Sequence, residues 1–416
     1  MRKKEQKRIA TFISITTVAV GFLLVLPALS ATSEAAEPPP DSMVKKTRAS
    51  IDRGVKYLLD HQKENGSWRN MASITGLAVM ALHDSESERY ADQIEKAVKQ
   101  GRSFILDHAR DNGAIAAKRE KYLTYATSIC LTALATLDNS EDRDVMRKAR
   151  QFLFDMQLDE DHPQYEVSKD NPAYGGWAYG SGKPEKPSPN LSTTQFALQA
   201  LYVTQYLSTE KSGGEGQTSR ESDLAWDKAL GFLKEVQDIP ESADKKWVAT
   251  KLQDNEKYDG GFYYTPKESK VNEKLKSQDQ KDIQGGLRSY GSMTYAGLKS
   301  MIYADVNKDD PRVQAATEWA RNHYTLDENP VMGPEGHYYY LQTFAKAFSV
   351  LDKEKITTAE GKTHYWRTDL IQKLLELQKE DGHWVNERSG RWMESIPELV
   401  TSYALLAMEG AISGQT

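Results

Sequence analysis

A chain of 416 residues with 54 basic and 60 acidic side chains and a formal charge of −6 has room for two or three ordinary domains, or for one large domain built from repeats. No basic run coincides with aromatics, which argues against a nucleic-acid surface. The single cysteine, Cys130 in an apolar run, excludes an internal disulfide framework and a cysteine-based zinc cluster.

The N-terminus reads as an export signal. Arg2, Lys3, Lys4, Lys7 and Arg8 form a basic region, and residues 9–26 are apolar and uncharged. Small residues from Ala28 to Ala36 and the prolines Pro38, Pro39 and Pro40 follow. Residues 1–35 are therefore expected to be a signal peptide or an uncleaved membrane anchor, with 36–47 as a proline-rich tether.

From residue 48 to 413 the spacing predicts one domain of six helix pairs. The first helices of the pairs are expected at 51–61, 94–108, 145–156, 225–236, 313–324 and 366–377, and each is amphipathic. The second helices, at 73–82, 123–137, 192–206, 290–304, 339–351 and 397–409, are apolar all round and carry small residues such as Gly76, Ala200, Gly297 and Ala404. A helix with one charged face has one side in water, whereas a helix without one is buried on most sides. Alternation of the two predicts an all-α fold, an (α/α)6 toroid of two concentric rings. Asp310 before Pro311 reads as an N-cap, Pro397 opens the last helix, and Ser192 and Ser289 are natural caps. The stretches 208–222 and 267–281 read as solvated loops, as does Asp159-Glu160-Asp161-His162.

Two turns repeat a pattern, Gln62-x3-Gly66-x-Trp68 and Gln378-x3-Gly382-x-Trp384, with shorter copies at Gly175-Gly176-Trp177 and Gly260-Gly261-Phe262. Glycine there permits backbone angles that other residues avoid, and the tryptophan seals a helix end. With these turns and six helix pairs, the chain resembles the terpenoid cyclase and protein prenyltransferase toroids, which carry prenyltransferase/squalene-oxidase-type repeats. The resemblance spans about residues 45–411 and implies a bacterial exported protein like the squalene–hopene cyclases, with a hydrophobic isoprenoid or lipid ligand. It would also imply catalysis by an Asp-x-Asp-Asp acid, and that motif is absent. The Asp-Asp-x-x-Asp string of terpene synthases and the Gly-Cys-Gly-Glu-Gln thioester sequence are absent too. No metal or cofactor motif is found: Asp305-x-Asn307-x-Asp309 lacks the glycine and glutamate of a calcium loop.

In such a barrel the starts of the second helices gather at one mouth. His337, as acid or base, and Arg288, as a partner for an anionic group, are the candidate catalytic residues there. Trp177, Tyr179, Gln195, Phe262, Tyr263, Tyr290, Tyr338, Tyr339, Tyr340 and Gln342 are the candidate binding residues. Three functions fit: a cyclase-like enzyme acting on an isoprenoid, an exported non-catalytic binding or scaffold protein, and a carbohydrate-active barrel whose aromatics stack on sugars. The oligomeric state is left open.

Overall fold

The computed structural model describes residues 41–180, 188–209, 218–240, 258–277 and 287–412. The predicted signal segment and most of the 208–222 stretch lie outside the described residues. Among the described residues, twelve long helices alternate between two rings. The outer ring is α1 (Asp41–Asp60), α3 (Ala91–Asp107), α5 (Arg143–Asp155), α7 (Thr218–Glu235), α9 (Pro311–Asn322) and α11 (Trp366–Leu377). The inner ring is α2 (Ala72–Asp84), α4 (Leu123–Leu137), α6 (Leu191–Val203), α8 (Gly291–Tyr303), α10 (His337–Leu351) and α12 (Pro397–Ile412). Each inner helix packs on the next and α12 returns to α2, so the ring closes. The chain is an all-α toroid, as its periodicity predicts.

Composition explains which helix goes where. On α3 only Ala97, Gly101, Phe104 and Ile105 are buried, a single stripe at helical spacing. On α2 every residue from Ala72 to Leu82 is buried, including Ser73, Thr75 and Gly76. Small side chains make that possible: a Cβ on Gly76 would lie 3.0 Å from Ile129 of α4.

The repeated turns join the two rings through one set of bonds. After α1, Gln62 Nε2 donates to the carbonyls of Gly66 and of Ala97 on α3 at 2.9 and 2.8 Å. Gln157 does the same toward Gly175 and Ala225, and Gln237 toward Gly260 and Arg312. Gln378 does so toward Gly382 and Ser50, which closes the outer ring. The aromatic residue of each turn is fully buried, and its backbone N–H donates to a threonine of the inner helix: Trp68 to Thr75, Trp177 to Thr194, Phe262 to Thr294 and Trp384 to Thr401. The turn glycine is required twice over. Gly382 has φ +94°, and a Cβ there would stand 2.4 Å from the carbonyl oxygen of Arg53 on α1.

Several local expectations are corrected. Helix α1 begins at Asp41 and so takes in the second half of the stretch read as a tether. Within 267–281 a short helix, Lys270–Ser277, packs Val271 against the core instead of forming a solvated loop. Asp159 is buried and paired with Lys228 at 2.7 Å, because an outer-ring lysine supplies its countercharge. Asp310 does cap α9 through the Arg312 N–H, but α6 is capped by Asn190 rather than Ser192. Tyr290, not Ser289, stands at the N-cap position of α8, and the Ser289 hydroxyl donates to Asp259 instead. A small hairpin, β1 (Lys355–Thr357) with β2 (Thr363–Tyr365), bridges α10 and α11.

Candidate functional site

The mouth where the inner helices start is built by a relay in which, from α2 to α10, the loop of the following repeat caps the preceding inner helix. Glu120, ahead of α4, accepts from the backbone N–H of Ala72 and Ser73 at the start of α2. The carbonyl of Tyr179, ahead of α6, accepts from Thr124 on α4, and that of Tyr264 accepts from Leu191 on α6. Asn329, ahead of α10, accepts from Ser292 on α8, and Glu394, ahead of α12, accepts from Tyr339 on α10 at 2.8 Å. An unpaired helix N-terminus attracts anions. Here protein groups already occupy that role.

The loops of this relay enclose a cavity of about 410 Å³, within the usual range of small-molecule pockets. Its wall is aromatic: Tyr122, Tyr125, Tyr179, Tyr264, Tyr290, Tyr339 and Tyr403 line it, with Trp392 at the rim. Met71, Ile74, Leu77, Met293, Met393 and Leu399 supply the remaining apolar surface. The phenols are tied to one another across the ring, Tyr125 to Tyr403 at 3.2 Å and Tyr264 to Tyr179 at 3.0 Å. Tyr339 meets Ser192 at 3.3 Å and Gln195 at 3.2 Å. Burial pushes the Tyr339 hydroxyl up to about 12, so it remains a neutral donor and acceptor.

The rim keeps apolar surface in water. Tyr122 is 50% exposed, Trp392 40% and Met393 38%. Trp392 and Met393 are also consecutive left-handed residues, with φ of 55° and 69°. Each such residue costs on the order of 1–2 kcal/mol, and strain of this kind collects at ligand clamps and switch regions. Arg391 holds the loop by reaching Glu335 at 2.8 Å and Glu273 at 3.0 Å.

Two carboxylates line the cavity. Glu394 is buried, and its two oxygens accept from the Tyr339 N–H and from Asn386 Nδ2. Burial raises its carboxyl to about 7 even though these donors favour the ionised form. Glu120 accepts four bonds, from the N–H groups of Ala72, Ser73 and Ala117 and from the Ser73 hydroxyl.

Of the candidates read from the sequence, Tyr179, Tyr290 and Tyr339 line the cavity, and Gln195 stands behind Tyr339. Trp177 and Phe262 are the buried turn residues of their repeats, equivalent in their bonds to Trp68 and Trp384. Tyr263 is buried and bonded to Asp238, and Tyr340 donates to the Thr325 carbonyl. Tyr338 and Gln342 are buried without reaching the cavity wall. His337 is buried with Nε2 against the Leu326 carbonyl at 2.9 Å, and burial pushes its pKa down to about 4. The imidazole is therefore neutral at neutral pH, with Nε2–H as donor. Arg288 is exposed, and its backbone, not its guanidinium, is held by Asn272 and Ser269.

Sequence reasoning missed Tyr125, Tyr403, Glu120, Glu394, Trp392 and Met393. The two tyrosines had a signal, since Tyr125 lies in the first turn of α4 and Tyr403 in the second of α12. The rest sit in loops with no repeat pattern.

No family model matches the chain, and no curated protein matches it. Solved structures do. The type II terpene cyclase MstE from Scytonema, in a variant bound to geranylgeranyl dihydroxybenzoate, superposes with a TM-score of 0.53 at 12% identity, covering 89% of this chain and 99% of that one. A D-mannose isomerase superposes at 0.56 and 10% identity, covering 91% and 100%. A family 76 glycoside hydrolase from a bovine Bacteroides thetaiotaomicron strain gives 0.51 and 14%, covering 88% and 78%. At these identities the likeness is one of fold: the chain is an α/α toroid of the kind that terpene cyclases and sugar-active barrels share.

Proposed function

We propose that the protein is an exported toroid that binds a neutral hydrophobic ligand of isoprenoid type in its mouth cavity, without cyclising it. The observation that carries this reading is the cavity wall, a ring of tyrosines and methionines opening onto the exposed Trp392 and Met393. Aromatic faces and thioethers suit an unsaturated hydrocarbon chain, and the few hydroxyls suit a single polar end. The ligand's neutrality rests on the caps. Glu120 and Glu394 take up the N-termini of α2 and α10, which leaves neither helix end to hold a diphosphate, and their charges stand against those of Arg119, Lys121 and Lys270 in the same lining. The absence of cyclisation rests on the chemistry of Glu394. Protonating an alkene requires a carboxylic acid aimed at the ligand, whereas both Glu394 oxygens accept from protein donors. The N-terminal basic and apolar segment supports export.

A second reading, a carbohydrate-active barrel, is favoured by two carboxylates in one aromatic cavity. Both serve as helix caps, which leaves neither free to act on a glycosidic bond.

The test is a fluorescence titration. Trp392 is exposed at the rim, whereas Trp68, Trp177, Trp319, Trp366 and Trp384 are buried. Geranylgeraniol should change the emission saturably and Trp392→Phe should remove the change; a manno-oligosaccharide should have no effect. Saturation by the sugar alone would replace this reading with the second.

A further inference from the structure

The hydroxyls in the wall of the mouth cavity are almost all engaged with other protein groups. Tyr125 meets Tyr403 at 3.2 Å, Tyr264 donates to Tyr179 at 3.0 Å, and Tyr339 meets Ser192 at 3.3 Å. Ser73 donates to Glu120, and Ser292 accepts from Asn329 Nδ2 at 3.1 Å. Two phenols of the wall are left, Tyr122 and Tyr290. Tyr122 is half exposed, so water serves its hydroxyl. Tyr290 is only 2% exposed, and among the described residues no group bonds its hydroxyl.

The place of Tyr290 in the fold is fixed by its backbone. It stands at the N-cap position of α8, where its N–H donates to the Phe262 carbonyl and its own carbonyl accepts from the N–H and hydroxyl of Thr294. Its hydroxyl interacts electrostatically with those of Tyr264, Tyr339 and Tyr179, so it faces the phenols that tie the wall together. Arg391 and Glu273 also act on it, but they bond each other at 3.0 Å and their charges largely cancel there. Burial holds the Tyr290 hydroxyl well above its ordinary value, so it stays protonated and keeps a hydrogen to donate. A buried donor without a bond is costly, and a ligand that supplies the acceptor recovers that cost.

We propose that Tyr290 donates a hydrogen bond to an uncharged oxygen at the polar end of the ligand, and that this bond selects oxygen-bearing isoprenoids over plain hydrocarbons. This rests on the cavity being an isoprenoid site, and it adds which end of the ligand is held and by what. A hydrocarbon leaves the phenol unpaired, whereas an alcohol, ether or carbonyl oxygen pairs it. The cations of the lining do not compete for that oxygen: Lys270 is bonded to Glu273 at 2.8 Å, and Arg119 and Lys121 are exposed. With the oxygen held at a buried residue, the hydrocarbon end is what meets the exposed Trp392 and Met393 at the rim.

The experiment compares three ligands on the full-length protein, each followed by Trp392 emission: geranylgeraniol, its methyl ether, and the corresponding hydrocarbon without the oxygen. The alcohol and the ether should bind at least about tenfold more tightly than the hydrocarbon. Tyr290→Phe should bring all three to the affinity of the hydrocarbon with helicity unchanged, and Tyr122→Phe should leave the preference intact. Persistence of the preference in Tyr290→Phe, or equal affinities in the wild type, would overturn this proposal and leave the hydrophobic reading of the cavity in place. No saturable change with any of the three in the wild type would remove both.

Discussion

Gln378 Nε2 donates to the backbone carbonyl of Ser50 at 2.8 Å, joining positions 328 residues apart in the chain. The same amide nitrogen donates to Gly382 at 2.9 Å, and the side-chain oxygen accepts from the Ser50 hydroxyl at 2.7 Å. One side chain thus joins the last outer helix to the first. Gln378→Ala leaves these partly buried groups without partners and should cost about 2 kcal/mol in urea unfolding. Lys379→Ala, next to it, should cost less than about 0.5 kcal/mol.

Gly382→Ala tests the turn itself. The left-handed backbone and the carbonyl of Arg53 at 2.4 Å from the added methyl act together. The loss should exceed about 3 kcal/mol. Gly361, also left-handed but with nothing within 4 Å, is the control. Gly361→Ala should cost only about 1 kcal/mol, the backbone strain alone.

Two buried groups near the start of α10 titrate in opposite senses. Glu394 is raised from 4.5 to about 7, so the folded state keeps its proton longer and stability falls as pH rises through that window. His337 is lowered from 6.5 to about 4, so the unfolded state binds the proton first and stability rises with pH through that window. The two slopes oppose each other in the wild type. Relative to it, Glu394→Gln should gain stability between pH 4.5 and 7, and His337→Gln should lose it between pH 4 and 6.5. Each change should be on the order of 3 kcal/mol in chemical unfolding across the pH series. Equal slopes in both variants would contradict the assignment.

The rings were legible because helix burial writes itself into composition. A stripe such as Ala97, Gly101, Phe104 and Ile105 has one meaning, and an uncharged run such as 72–82 has another. The mouth was legible only where aromatic residues begin inner helices, as at Tyr290 and Tyr339. Sequence proximity puts Trp177 and Phe262 at the mouth, although they hold the same turn position as Trp68 and Trp384, where the aromatic ring seals a helix end. The capping carboxylates were illegible for a different reason. Glu120 and Glu394 act on the helix of the preceding repeat, 47 and 55 residues away, so nothing local marks them.

The rim should carry affinity without carrying stability. Trp392→Gly with Met393→Gly removes exposed apolar surface and relieves the left-handed strain of two non-glycine positions. Binding of geranylgeraniol should weaken by at least about tenfold, while the unfolding midpoint stays the same or rises.

Native mass spectrometry of the purified protein, before and after addition of geranylgeraniol, tests the central claim most directly. The account predicts one retained equivalent in the wild type, displaced by no sugar and lost when Tyr290 and Tyr339 are replaced by glutamate. An apo mass that geranylgeraniol leaves unchanged, from protein with full helicity, would contradict it.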